Sequence, residues 1–299
     1  MNLFSKVVAT TIPIFPKRFV RIFANKYIAG DKLSDGVKTV QELNKKNMIA
    51  TMDVLGESIK DKKEAEQSKN ESIEVLDAIS KYKLNSNLSV KLTMLGLNLD
   101  YDFCLSLFTE IMQHAKELNN FVRIDMEDSS VTDSTLKIFE DSKKNFGNVG
   151  IVIQAYLRRS EDDILKLTEM EANFRLCKGI YIEPEAIAFK KRNEIRNNFL
   201  KLIRLILEKK SYCGIATHDD FVIDGSRKLI SELGLNKEDY EFQMLLGVRE
   251  NLRDKLVIEG HKMKIYVPFG ERWYEYSIRR FKENPNLAGQ VLKSIFTRN

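Results

Sequence analysis

Short apolar runs recur along the chain, and helix-length stretches rich in Lys, Glu, Leu and Ile separate them. The runs cover residues 48–52, 88–92, 121–126, 150–155, 174–177, 212–216, 240–245 and 263–267, and each has the length of a strand. Residues 34–46 start at Ser34-Asp35 and carry Val37, Val40 and Leu43 on one face, the spacing of an amphipathic helix. Further helices are expected over 102–118, 133–146, 160–170 and 184–209. Strands alternating with helices indicate parallel β/α units, because a parallel crossover needs a connection of about helix length. Eight such units in 299 residues fit an α/β fold of the closed (β/α)8, TIM-type kind. An open, doubly wound sheet is the alternative. It is weakened by the lack of a Gly-rich turn after the first strand, where Gly56 stands alone. Residues 53–82 are long and highly charged for one crossover, so an extra helix or a mobile loop is expected there.

Residues 1–29 mix Phe4, Val7, Ile12, Phe19 and Phe23 with Lys6, Lys17, Arg18, Arg21 and Lys26, and Pro13 and Pro16 interrupt them. The apolar run is too short and too charged to span a bilayer. No clean apolar core precedes a small-residue cleavage site. An N-terminal helical arm over 1–33 is expected, either lying on an anionic membrane surface or packed on the main domain. No linker rich in Pro, Gly or Ser follows it, so residues 34–299 read as one domain.

Composition narrows the function. Hydrophobic residues at 43% and charged residues at 30% are the proportions of a soluble globular protein. The net charge of +5 is modest and both signs are spread along the chain. No Lys/Arg block with interleaved aromatics marks a nucleic-acid groove. Cys104, Cys177 and Cys213 are far apart and odd in number, and with three histidines they make no zinc set. A reducing compartment, no disulfide framework and no metal are expected.

In a (β/α)8 barrel the C-terminal ends of the strands converge on one site. Strand one leads to Asp53 and Glu57, strand two ends with Lys91, and strand three ends with Asp125 and Met126. Strand four yields Gln154, strand five Arg175 and Lys178, and strand six Thr217 and His218. Strand seven gives Gln243 and Leu245, and strand eight Tyr266. One buried lysine in Ser-Val-Lys-Leu-Thr is ordinarily half of a structural ion pair. Polar interruptions at nearly every rim position favour a site. After strand eight, Pro268 and Gly270 break the run, and a helical stretch places Tyr276, Arg279 and Arg280 on one face. An isolated Tyr-x-x-Arg-Arg is ordinarily a solvated helix end. Two guanidiniums beside a phenol, however, also make a receptor for a small carboxylate. Lys178-Gly179 fits a loop that approaches phosphate closely. The residues alone thus lead to a barrel enzyme for a small anion and do not give the reaction.

The motifs in order are Met52-Asp53-Val54-Leu55-Gly56-Glu57, Ser89-Val90-Lys91-Leu92-Thr93 and Arg123-Ile124-Asp125-Met126-Glu127-Asp128-Ser129. Then come Gln154-Ala155-Tyr156-Leu157, Arg175-Leu176-Cys177-Lys178-Gly179-Ile180-Tyr181-Ile182-Glu183-Pro184, Ala216-Thr217-His218-Asp219, Glu241-Phe242-Gln243-Met244-Leu245 and the stretch 266–280. Together they resemble the FAD-dependent proline dehydrogenases, from about Asp35 to Phe296, and the length resembles the short, single-function bacterial members. The resemblance implies that Arg279, Arg280 and Lys91 bind the proline carboxylate. It implies that Tyr181, Leu245, Tyr266 and Tyr276 wall the ring, and that Asp125 holds the constellation by bonding Tyr266. Arg175 is implied to sit by flavin N5, with Gln154 and Met126 against the isoalloxazine. Lys178, Gly179, Ile180, Thr217 and His218 are implied to hold the ribityl and phosphate parts, and Glu57 to act as a gate pairing with Arg279. Relatives commonly carry Ala where Ile180 stands, and 288–296 follows the family loosely.

The implied reaction is oxidation of L-proline to Δ1-pyrroline-5-carboxylate by hydride transfer to flavin N5, with electrons passed to a quinone. The implied location is cytoplasmic, peripheral on the inner face of the cytoplasmic membrane. Oxidation of hydroxyproline or another cyclic imino acid is an alternative, as is a barrel that binds flavin or an amino acid without turnover.

Overall fold

The computed structural model describes residues 17–56, 59–274 and 276–278. Eight strands pair in chain order: β1 (Ile49–Val54), β2 (Ser86–Val90), β3 (Val122–Ile124), β4 (Val149–Gln154), β5 (Asn173–Cys177), β6 (Cys213–Ala216), β7 (Tyr240–Leu245) and β8 (Met263–Phe269). Neighbours are parallel, and β8 pairs back onto β1 with Thr51 opposite Tyr266. The barrel is closed, and the open-sheet alternative falls away. Among the described residues two helices precede β1, namely α1 (Lys17–Tyr27) and α2 (Leu33–Asn44). The crossovers carry α3 (Lys62–Lys81), α4 (Tyr101–Glu117), α5 (Thr132–Asn145), α6 (Ser160–Thr168), α7 (Arg192–Glu208), α8 (Asp220–Glu232) and α9 (Glu250–Ile258).

The charged stretch after β1 is the crossover helix α3 itself, with no extra element among the described residues. Asp61 caps it by accepting from the Glu64 N–H at 2.9 Å. Ala65, Val75, Leu76 and Ile79 form its buried face, while its Lys and Glu residues stay outside. The seventh helix starts later than the sequence pattern indicates. Residues 184–191 instead form a turn whose backbone is bonded to the loop after β4, Arg158 N–H to Ile187 O at 2.9 Å and Phe189 N–H to Tyr156 O at 2.8 Å. Pro184 and these tertiary bonds override the helix-forming composition. Strand β3 is only Val122–Ile124, so Asp125 and Met126 already lie in the loop. Strand β8 continues through Pro268, which contributes its carbonyl to the Ala29 N–H at 2.9 Å.

The core lies between strands and helices. Phe108, Phe139 and Phe199 are fully or almost fully buried there. Each such side chain contributes about 1.5–3 kcal/mol by leaving water. The barrel interior is different. Arg123, Asp125, Arg175, Gln243 and Tyr266 reach partners on strands that are not their neighbours, which only inward-facing side chains can do, and Glu241 and Lys264, two residues before Gln243 and Tyr266 on the same strands, share that face. A barrel interior is ordinarily filled by branched apolar residues. Here polar groups fill much of it.

Helix α1 is packed on the domain. Val20, Ala24 and Ile28 are buried, and Ala24 and Ile28 cluster with Leu55, Tyr276 and the partly buried Trp273. Arg21 stacks over Trp273 and pairs with Asp31 at 2.5 Å. Of the two fates open to the arm, residues 17–28 take the second. Residues 1–16 lie outside the described residues. Among the described residues no helix is long and apolar enough to cross a membrane.

Candidate active site

At the C-terminal end of the barrel opens a pocket of about 740 Å³, within the usual range for a small-molecule or cofactor site. Fifteen of the residues expected at the mouth line it, Gln243 among them. Lys91, Asp125, Tyr181, Leu245, Tyr266 and Tyr276 do so, and so do Met126, Gln154, Arg175, Lys178, Gly179, Ile180, Thr217 and His218. Glu57, Arg279 and Arg280 lie outside the described residues.

Its floor is a cluster of buried charge. The Tyr266 hydroxyl donates to Asp125 Oδ2 at 2.6 Å, across the barrel from β8 to the loop after β3. Asp125 also accepts from the Ser89 hydroxyl at 2.9 Å. Lys91 Nζ bonds Asp53 Oδ1 at 2.7 Å and lies 3.8 Å from Asp125 Oδ2. Arg175 approaches Asp125 at 4.0 Å and lies over the face of Tyr266, 5.3 Å from its ring centre. Two cations thus meet two carboxylates. Burial, with Asp125 and Asp53 beside it, drives the Tyr266 phenol far above its ordinary range, so it remains a donor. Burial also raises the Asp53 carboxyl, and Lys91 offsets only part of the rise.

The second half of the pocket is set by loops. Gly179 has φ +101, and a Cβ there would sit 2.1 Å from the Tyr156 ring, so the chain turns against that ring because the position is glycine. The loop is held by Glu183, which accepts from the Ser129 N–H at 2.7 Å and its hydroxyl at 2.6 Å. Lys190 donates to the Glu183 carbonyl. Glu127 makes a like clamp, accepting from the Thr93 N–H at 3.1 Å and its hydroxyl at 2.5 Å. Gln154 donates to the Glu127 carbonyl at 2.7 Å. Arg192 and Arg196, in the first turns of α7, grip Asp219 at 3.1 and 2.8 Å. Burial opposes ionisation of Asp219, but these two guanidiniums win and hold its carboxyl below the usual range. His218 Nε2 accepts from the Leu245 N–H at 3.0 Å, which puts any single ring proton on Nδ1.

Several of these residues carried no expected role from the sequence, among them Glu127, Glu183, Arg192, Arg196 and Asp219. The clamps span 34 and 54 residues of chain, which no local pattern reveals. A signal did exist for the interior. Thr51 and Asp53, Ser89 and Lys91, Arg123 and Asp125, Glu241 and Gln243, and Lys264 and Tyr266 are polar pairs two apart. Alternate strand residues face one side, so each pair marks the inside of the barrel.

A (β/α)8 barrel with paired cations and carboxylates at the mouth has the architecture of an enzyme site. The family model described as proline dehydrogenase matches residues 36–293, and the chain belongs to the proline dehydrogenase family. It is 40% identical over 286 residues to Proline dehydrogenase 1 of Bacillus subtilis, covering 95% of each chain. It is 32% identical over 277 residues to Proline dehydrogenase of Deinococcus radiodurans, covering 91% of this chain and 89% of that one. Among solved structures, proline utilization A from Bdellovibrio bacteriovorus, inactivated by N-propargylglycine, superposes with a TM-score of 0.81 at 27% identity. That match covers 88% of this chain and 32% of the other. Proline utilization A from Corynebacterium freiburgense gives a TM-score of 0.77 at 21% identity, covering 99% of this chain and 35% of the other, which shows the fold. The chain thus spans about a third of the length of those proteins. It is a proline dehydrogenase-type oxidoreductase, acting in proline breakdown.

Proposed function

We propose that the protein oxidises L-proline to Δ1-pyrroline-5-carboxylate with FAD as its resident oxidant and a membrane quinone as the next acceptor. The observation that carries this reading is the joining of two unlike halves in one pocket. One half is the compact charged floor of Lys91, Asp125, Arg175 and Tyr266. The other is a long basic flank of Lys178, Lys190, Arg192 and Arg196 around the tight turn at Gly179. A small zwitterion suits the first, and a long, phosphate-bearing group suits the second.

The donor set fits FAD. Gly179 leaves room for close backbone approach, Lys178 and the start of α7 supply positive charge for phosphate, and Thr217 and His218 offer polar side chains beside it. Met126 and Gln154 form the wall near Arg175, where a flat ring system is accommodated. When bound, the flavin supplies a two-electron acceptor for the hydride leaving the ring carbon next to nitrogen. The protein binds and orients. Lys91, with Arg279 and Arg280, holds the carboxylate; Tyr181, Leu245, Tyr266 and Tyr276 pack the ring; Asp125 fixes Tyr266. The cationic surroundings favour the uncharged amine, whose lone pair must replace the departing hydride. Glu57 acts as a gate over the mouth.

The arm's share in reaching a quinone falls to residues 1–16. Removing 17–28 as well would uncover Leu55 and Tyr276, against which α1 is packed. Residues 1–16 are mostly apolar, with Leu3, Phe4, Val7, Val8, Ile12, Ile14 and Phe15 beside a single basic side chain, Lys6, so the contact proposed for them is chiefly apolar.

One anaerobic titration tests the reading. The purified protein should carry FAD absorbance that proline bleaches and 4-hydroxyproline bleaches less well. Arg279→Met and Arg280→Met should each lower kcat/KM by about ten- to a hundredfold, the worth of one charge-assisted hydrogen bond. A protein that binds flavin but is not bleached by proline would be a binding module.

A further inference from the structure

We propose that Gln243 is the positioning residue that fixes Arg175 for proline oxidation, because its amide joins two groups of opposite hydrogen-bonding demand. The proposal rests on the reading above, in which Arg175 faces flavin and substrate.

Arg175 Nε donates to Gln243 Oε1 at 2.8 Å. Gln243 Nε2 donates in turn to Glu241 Oε1, also at 2.8 Å. Glu241 is 1% exposed and is bonded by Lys264 at 2.8 Å. Burial opposes its ionisation, yet Lys264 and Arg123 outweigh that and hold its carboxyl below the usual range. A guanidinium has no acceptor, and an ionised carboxylate has no donor. The amide between them therefore has one permitted orientation, with oxygen to Arg175 and nitrogen to Glu241. An aliphatic residue can do neither job.

The fold makes space for this link. On β6, opposite Glu241, stands Gly214, where a Cβ would lie 2.3 Å from Gln243 Nε2. With Nε tied down, the terminal nitrogens of Arg175 point past the Tyr266 ring toward Asp125. A long, flexible side chain is thereby held in one plane at the floor of the pocket. Glu241 anchors the link but touches nothing in the pocket. Gln243 transmits its fixed position upward.

Two variants of the holoenzyme test the proposal. Gln243→Met keeps the volume and removes both bonds. It should retain FAD, yet slow flavin reduction at saturating proline about ten- to a hundredfold, as misplacement of a reacting geometry does. The Kd for proline should change little, and the flavin midpoint potential should become more negative as its neighbouring cation loses its fixed place. Gln243→Glu sharpens the test. Its protonated carboxyl repeats the amide's pattern, O–H to Glu241 and C=O to Arg175. Burial beside another carboxylate keeps that proton on above the ordinary range. Flavin reduction should therefore be near the wild-type rate at low pH and fall as the new carboxyl ionises, a pH step absent from wild type and Gln243→Met. Wild-type reduction rate and potential in Gln243→Met would overturn the proposal. So would Gln243→Glu without the extra pH step, which decides alone if the methionine variant fails to hold flavin. A wild-type protein that proline does not bleach would instead overturn the flavin reading.

Discussion

Two groups of buried charge stand one pleat apart inside the barrel, and they are built to different ends. The lower group is Arg123, Glu241 and Lys264. Arg123 donates to the carbonyls of Ile151 and Asn173 and to the Asn173 side chain, and Glu241 receives Lys264 and Gln243. No buried polar side-chain atom of these three lacks a partner. The upper group is Lys91, Asp53, Asp125 and Tyr266. There Asp53 Oδ2 is buried and makes no hydrogen bond. The pKa directions divide the same way, with Glu241 below its ordinary range and Asp53 above it. Similar residue types thus make a closed structural knot in one layer and an unfinished one at the pocket floor in the next. Incomplete satisfaction, more than buried charge itself, marks the functional layer.

Swapping one carboxylate for its amide in the lower layer should have the largest effect. Glu241→Gln leaves Lys264 and Arg123 without an anion, and breaking a buried pair in this way costs about 3–5 kcal/mol. The loss should appear as a large drop in the denaturant midpoint. Its pH dependence follows from the sign of the shift. A depressed folded pKa gives stability that is full above the ordinary value of 4.5 and is lost as pH falls below it. The gap between wild type and variant should therefore close only in strong acid. A gap that closes near neutral pH would mean the lower layer is not the knot described.

Next comes Lys91→Met in the upper layer. It should reduce kcat/KM by about ten- to a hundredfold through loss of a charge-assisted contact to the proline carboxylate. Its stability cost should be smaller than that of Glu241→Gln, because Asp53 can take up a proton. Removing Lys91 raises the Asp53 carboxyl further, since Lys91 is what offsets burial. A raised folded pKa gives stability present at low pH and lost as pH rises through it. The gap between this variant and wild type should thus narrow on acidification at a higher pH than the Glu241→Gln gap does. Parallel gaps, measured by urea titration at several pH values, would erase the distinction between the layers.

The smallest change should come from Asp53→Asn. The amide oxygen still accepts from Lys91, whose second carboxylate, Asp125, remains at 3.8 Å. Release of a desolvated charge offsets the lost attraction, so stability should move by no more than about 1 kcal/mol. A loss comparable to that of Glu241→Gln would show the upper layer to be as structural as the lower.

The barrel was legible in the sequence because each strand is buried on both faces and reads as an apolar run. The start of the seventh helix was not, since Ile187 and Phe189 spend their backbone bonds on the loop after β4 rather than on a helix. At the mouth, the strand-end residues from Lys91 to Tyr266 stood out as polar breaks in apolar runs. The depth of the charge did not. Glu241 and Lys264 sit two residues below the rim, where a polar residue reads as an ordinary strand interruption. Glu127 and Glu183 were hidden for another reason. Their partners, Thr93 and Ser129, belong to other loops and meet them only in the closed barrel.

The packing of α1 against Leu55 and Tyr276 has a consequence for how the chain is made. Its buried face is among the first parts of the described chain to leave the ribosome, and Tyr276 is among the last. Until β8 has been synthesised and has paired with β1, Ala24 and Ile28 have no complete surface to cover. Domains emerge from the N-terminus at about 5–20 residues per second, so this helix waits for most of the barrel's synthesis. Closure by β1 and β8 is also the contact of greatest sequence separation in the sheet, the kind that folds late. A nascent chain stalled before β8 would expose both an unpaired β1 edge and an uncovered helix, and it would present those two surfaces to a chaperone together.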